Sequence, residues 1–311
     1  METESEIKQQ TAGVTEKVKT EAEVKGKIVE LLWHLKTEAY SDITIKNHRQ
    51  RLTQLSKIAN LLIPENVKEA IARQNWAEGT KQNHVSTYGK FASFHGLNWK
   101  PPKYKITQKL PFIPLESEID SLVAGCGKKT ATLLQLLKET GMRVGEALKL
   151  KWIDFDMERN VVNITPEKHG KPRQVKIPVK LAAMLNTMPK QSELIFNGVL
   201  DTTVRGNFTK QRRRIATKLA NPRLSYIHFH TLRHWKATME YAKTKDILHI
   251  MQLLGHRKIE STLVYTQLIS FETDEYHSAT AKTIDEAQKL IEAGFEYVCD
   301  FNNIKLFRKR K

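Results

Sequence analysis

A chain of 311 residues with 40% hydrophobic and 27% charged side chains can bury sizeable cores, enough for about two domains of ~150 residues each. Its 51 lysines and arginines against 34 aspartates and glutamates give a formal net charge of +17, which points to a polyanionic partner, nucleic acid above all. Cys126 and Cys299 stand alone and exclude a cysteine-rich metal site, no run of ~18 apolar residues occurs, and METESEIKQQ lacks the pattern of a signal peptide, so a cytoplasmic protein with no membrane partner is expected.

Residues 1–21 are rich in Glu, Lys and Thr, show no apolar periodicity, and are expected to be disordered or loosely helical. Residues 22–98 read as a small helical bundle. Ile28, Leu31, Leu32 and Leu35 recur at helical spacing, and Ile45, Leu52, Leu55, Ile58 and Leu62 form a second stripe ended by Pro64. Two more helices are expected over about 65–74 and 79–95. Lys46, Arg49 and Lys81 suit contacts to a sugar-phosphate backbone; a charge run on a helix is also the ordinary solvated face.

The proline-broken, basic stretch NWKPPKYKITQKLPFIP marks a linker, set at 99–106, and a second domain spans 107–272. Within it, TLLQLLKETGMRVGEALKLKWIDFD reads as a helix, a break at Gly141 and a second helix from about Val144. NVVNIT and RQVKIPV read as two strands joined by the loop PEKHGKP, and helices follow. In the tail, 273–311, a capping box Thr283-Ile284-Asp285-Glu286 opens a helix, and FEYVCDF and IKLFRKR form a hairpin around Asn302-Asn303.

The chemistry-bearing residues of the second domain are ambiguous one at a time. Arg143 follows a glycine that lets the backbone approach a ligand, and is equally a surface arginine after a helix C-cap. Lys168 alone is a solvated loop lysine. In IHFHTLRHWKAT, His230 and Arg233 share one face near a helix N-terminus, where amides, macrodipole and guanidinium all favour a phosphate. His228, His230 and His234 could chelate a metal, but Arg233 and Lys236 beside them repel a dication, and no metal site is assigned. In LLGHRKIESTLVYTQL, Tyr265 stands nine residues after His256 and could by itself be a core aromatic.

In this order the motifs resemble the tyrosine recombinase (phage integrase) family. The matching residues are Thr140-Gly141-Met142-Arg143-Val144-Gly145-Glu146, the loop lysine Lys168 with Lys171 as its substitute, His230-Thr231-Leu232-Arg233-His234, Leu254-Gly255-His256, and Tyr265. The resemblance covers most of the chain. It implies a mostly α fold with a small β-sheet, in which an N-terminal helical, SAM-like core-binding domain precedes a mixed α/β catalytic domain of Xer-like or archaeal-integrase type.

It also implies a site-specific recombinase that cleaves and rejoins DNA through a 3′-phosphotyrosyl intermediate, in integration, excision or dimer resolution. Its partner would be double-stranded DNA with an inverted-repeat core site, on which copies assemble as dimers and tetramers, in association with the nucleoid. Tyr265 would attack; Arg143, Arg233 and His256 would stabilise charge on the phosphate; His230 would assist as base; Lys168 would protonate the leaving 5′ oxygen; Glu146 would orient Arg143. No cofactor or metal is implied. Lys171, Arg173 and Arg257 would join Lys46, Arg49 and Lys81 on DNA, and the tail, with Arg308 to Lys311, would serve assembly or DNA contact. A type IB topoisomerase-like enzyme and a catalytically idle DNA-binding protein are the alternative expectations.

Overall fold

The computed structural model describes residues 4–107, 109–167, 170–198, 201–268, 276–301 and 304–310. They fall into two units, Met1–Lys109 and Leu110–Lys311.

The first unit holds α1 (Glu4–Thr37), α2 (Asp42–Ser56), α3 (Pro64–Arg73) and α4 (Glu78–Phe94). Ser41 caps α2 by accepting the Thr44 N–H at 3.3 Å, and Pro64 opens α3 where no backbone donor is needed. Leu31, Leu35, Leu52, Leu55, Val67, Ile71, Tyr88 and Phe91 close the core, as the apolar spacing requires. The Tyr88 hydroxyl donates to the Leu61 carbonyl at 2.8 Å, which satisfies the polar end of a buried ring.

Residues from Glu4 onward continue α1, because Glu, Lys, Gln and Ala are strong helix formers even without an apolar stripe. Within the stretch 99–106, Trp99 and Tyr104 pack on this unit's core, and the Tyr104 N–H donates to Gln82 Oε1 at 3.2 Å.

The second unit opens with α5 (Glu116–Gly125), α6 (Lys128–Thr140) and α7 (Val144–Leu148). Next come β1 (Phe155–Asp156), β2 (Val161–Ile164) and β3 (Arg173–Lys176), an antiparallel sheet in the order β1-β2-β3. Val162 faces Val175 across β2 and β3, and both point to the core. Then follow α8 (Val179–Asn186), α9 (Asp201–Lys218), α10 (Phe229–Thr244), α11 (Ile247–Leu254) and α12 (Glu260–Leu263). α6 lies at the centre, buried from Ala131 to Lys138 and packed on α5, α8 and α10.

The tail has its own small core. β4 (Tyr276–Ala281), α13 (Ile284–Glu292), β5 (Glu296–Phe301) and β6 (Ile304–Arg310) form a sheet in the order β4-β6-β5, with Phe307, Ala281 and Ala287 between sheet and helix. The helix and the β5–β6 pairing match expectation; β4 does not appear in the sequence reading. Its residues Ser278, Ala279, Thr280 and Ala281 carry little hydrophobic alternation, so pairing with β6 defines this strand. The turn residues Asn302 and Asn303 lie outside the described residues. Of the basic run, Arg308 pairs with Glu296 at 3.7 Å, and Lys309 Nζ donates to the Ala293 carbonyl at 2.6 Å, so both are engaged within the module.

Candidate active site

Two left-handed glycines build the floor of the site. α6 ends at Gly141 (φ +63°) and α11 at Gly255 (φ +66°), each turning the chain sharply with no side chain to obstruct it. Arg233, on the second turn of α10, is fully buried between them. Its Nη1 donates to the Gly141 carbonyl at 2.8 Å and its Nη2 to the Leu254 carbonyl at 2.7 Å. Carbonyls at helix C-termini lack intrahelical donors and carry partial negative charge, so one guanidinium satisfies both helix ends. Burial, followed by the neighbouring Arg143 and Arg173, pulls this guanidinium down to about 9, which leaves it a cation at neutral pH.

Arg143 precedes α7, where Glu146 receives its backbone N–H at 2.9 Å and its Nη1 at 3.0 Å. The Glu146 side chain is wholly enclosed, and its Oε2, which accepts the Arg143 N–H, also accepts from Arg173 Nη2 at 2.7 Å. Burial opposes its ionisation, yet Arg173 and Arg143 together hold the carboxyl below the ordinary carboxylate range.

Three histidines surround the cations. His230 reaches solvent but is crowded by protein, and burial, then Arg233, Arg143 and Arg205, lower its pKa. His256 Nδ1 lies 2.9 Å from Thr262 Oγ1, and burial followed by Arg233, Arg143 and Arg173 holds its ring at about 4. His234, whose ring meets that of His230 edge to face at 4.6 Å, sits 3.1 Å from the Tyr265 hydroxyl through Nδ1. Burial and then His230 and Arg233 bring His234 to about 4, so it is neutral at pH 7.

Tyr265 lies on a 3₁₀ turn (Val264–Gln267) directly after α12 and is 2% exposed, packed with Ala237, Tyr241, Ile250 and Leu254. Burial raises its pKa, and the positive charges of Arg233 and Arg143 pull the other way. A pocket of several guanidinium groups and neutral imidazoles around a phenol is suited to bind a phosphate and to stabilise added negative charge on it.

The description "phage integrase family" matches residues 115–270, half of the chain. The chain belongs to the phage integrase family. It is 25% identical over 194 residues to tyrosine recombinase XerA of Saccharolobus solfataricus, covering 61% of this chain and 64% of that protein. It is 29% identical over 208 residues to the XerA of Thermococcus kodakarensis, covering 59% of this chain and 69% of that one. The chain thus spans about two thirds of the length of these relatives. A crystal structure of a lambda integrase dimer bound to a core site shares the fold, with a TM-score of 0.62 at 15% identity over 81% of this chain and 98% of the other.

In this phage integrase chain, Arg143, Glu146, His230, Arg233, His256 and Tyr265 are brought together in one cluster. Lys168 lies outside the described residues. Its neighbour Lys171 is exposed, and the Lys171 N–H donates to the Gly255 carbonyl at 3.1 Å, tying the hairpin loop to the end of α11. Lys46, Arg49 and Arg257 are exposed.

Other expectations are corrected. Arg173, expected on DNA, turns inward onto Glu146 with a side chain only 6% exposed. Lys81, also expected on DNA, folds back toward Glu78 and the Ala72 carbonyl, both at 3.5 Å. His228 Nδ1 faces Arg212 Nη1 at 2.9 Å, and His234 faces Tyr265. His234 is the residue that sequence reasoning missed as a partner of the tyrosine, since it entered that reading as the end of the His230–His234 motif and as a metal ligand, with no role toward Tyr265.

Proposed function

We propose that this chain is a site-specific DNA recombinase that cleaves and rejoins duplex strands through a 3′-phosphotyrosyl intermediate. The observation that carries this reading is the enclosure of the Tyr265 phenol beside His234, in the field of Arg143 and Arg233. Tyr265 Oη attacks the phosphorus, and its proton passes to a neutral imidazole. The contact with His234 favours that residue over His230, the base expected from sequence. The bond from phosphorus to the 5′ oxygen breaks, and Lys168 supplies the proton that this oxygen takes. Arg143, Arg233 and His256 offset the charge that builds on the non-bridging oxygens, which lowers the barrier more than it tightens the ground state. Tyr265 is buried in the resting structure, so attack requires the Glu260–Gln267 segment to shift toward the DNA.

The DNA partner in this reading is an inverted-repeat core site, bound by dimers that pair into tetramers for strand exchange in integration, excision or dimer resolution. Lys46, Arg49, Lys171 and Arg257 contact its backbone, in a cytoplasmic, nucleoid-associated setting.

The test is covalent capture. A randomised library of nicked duplexes, incubated with the protein and run under denaturing conditions, should yield a protein–DNA adduct whose captured sequence defines the site. Tyr265→Phe should bind the same duplex and give no adduct. Adducts that survive this substitution would remove Tyr265 as the nucleophile.

A further inference from the structure

Arg173 is out of place as a structural ion pair. Its Nη2 is committed to Glu146, but Nε and Nη1 are buried with no hydrogen-bond partner among the described residues. Buried polar groups of this kind are normally satisfied, and a guanidinium with two unmatched nitrogens is costly to enclose. It is wedged in the site: a Cβ built on Gly255, the residue before His256, would lie 3.1 Å from Arg173 Nη1.

The reason lies in the charge of Glu146. This enclosed carboxylate bonds Arg143 through both the backbone and the guanidinium, and by itself would cancel the charge that Arg143 offers to a phosphate. Arg173 Nη2 donates to Glu146 Oε2, the oxygen that also accepts the Arg143 N–H, at 2.7 Å, shorter than the 3.0 Å from Arg143 Nη1 to Oε1. Counting Arg143, Arg173, Arg233 and Glu146, the cluster carries three positive charges and one negative.

We propose that Arg173 is a positioning residue that acts through Glu146: it neutralises the carboxylate that holds Arg143, so that Arg143 is oriented without losing its charge to the DNA phosphate. Arg173 itself does not touch DNA. The inference rests on the recombinase reading given above.

The experiment uses the full chain and the duplex recovered by covalent capture, made in two forms: the ordinary phosphodiester, and a methylphosphonate at the cleaved position that removes the negative charge. Single-turnover adduct formation is measured for the wild type, Arg173→Met, Arg173→Lys and the double variant Glu146→Gln/Arg173→Met. The double variant is included because removal of one partner of a buried ion pair can unfold a protein, whereas removal of both leaves no buried carboxylate that lacks Arg173 and offsets the charge of Arg143. On the phosphodiester, Arg173→Met should lose about 10²-fold in rate, in the range of a lost charge-stabilising donor. Arg173→Lys should retain most of the rate, and the double variant should recover at least about tenfold over Arg173→Met. On the methylphosphonate, the defect of Arg173→Met should shrink to within about threefold of wild type, since the charge that Arg143 serves is gone.

Equal losses on both substrates would make Arg173 a packing residue and overturn the proposal. So would an unchanged adduct rate combined with a salt dependence of DNA binding shallower by about 0.9, the mark of one lost phosphate contact. Either result leaves the recombinase reading intact if Tyr265→Phe abolishes the adduct. Failure of the wild type to form any adduct overturns both.

Discussion

The Nδ1 atom of His234 lies 3.1 Å from the phenol oxygen of Tyr265, while His230, three residues before Arg233, touches the edge of the His234 ring instead. The two histidines are one helical turn apart on α10, so they share a face, and only the inner one reaches the tyrosine. His234→Ala is expected to slow single-turnover adduct formation by about 10²-fold or more, and to shift the rate profile toward higher pH, where the phenol ionises unaided. An adduct rate that falls with His230→Ala and not with His234→Ala would assign the proton route to His230.

Arg233 donates to two helix-terminal carbonyls, and this makes it structural as well as cationic. Arg233→Met should leave the Gly141 and Leu254 carbonyls unsatisfied in a dry site, at a cost of about 3 kcal/mol or more. Urea unfolding of the full chain measures this as a lower midpoint with an unchanged slope. Arg233→Lys should be nearly as costly, because one ammonium on a flexible stem does not reproduce a fork spanning both carbonyls. A wild-type midpoint in either variant would contradict the bridging role.

Gly255 and Gly26 offer a matched comparison. A Cβ on Gly255 would stand 2.8 Å from the Lys171 carbonyl, at a left-handed φ of +66°, whereas nothing lies within 4 Å of a Cβ on Gly26 in α1. Gly255→Ala is expected to destabilise by about 1–2 kcal/mol from conformation alone, and further by pushing the hairpin away from α11. Gly26→Ala should stabilise by about 0.5–1 kcal/mol. Thermal unfolding of the two variants should move in opposite directions; a shift of the same sign would reject the steric account.

His234 and His256, both near 4 in the folded chain against an ordinary value of 6.5, link stability to pH. Between these values the unfolded chain binds protons that the folded chain does not, so unfolding is favoured as pH falls. The stability these neutral rings contribute is fully present above about pH 6.5 and is lost progressively down to about pH 4, by up to 1.36 kcal/mol per pH unit for each ring. Urea midpoints recorded across this window should fall with decreasing pH, and His256→Gln should reduce the slope. A flat profile would mean that these imidazoles are charged in the folded protein.

The helices of the first unit and those flanking Gly141 could be read from the chain because their signals are local. Leu31, Leu35, Leu52 and Leu55 repeat at the period of the helix, Pro64 and Gly141 punctuate, and Val162 and Val175 alternate at the period of a strand. The order of Arg143, His230, Arg233, His256 and Tyr265 was legible in the same way, since motif spacing lies along the sequence. Composition likewise fixed the strongly positive charge of the chain.

Partner choice was decided elsewhere. Arg173 looked like any other basic residue beside Lys171 until Glu146, 27 positions earlier, claimed it, and His234 found Tyr265 across 31 positions. β4 has no apolar alternation of its own and exists as a strand because β6 pairs with it. Periodicity and motif spacing report what a segment does along its own axis. Which carboxylate a guanidinium neutralises, and which imidazole receives a phenol, depend on charges and helix ends brought together only by folding, where burial makes their interaction strong enough to choose a partner.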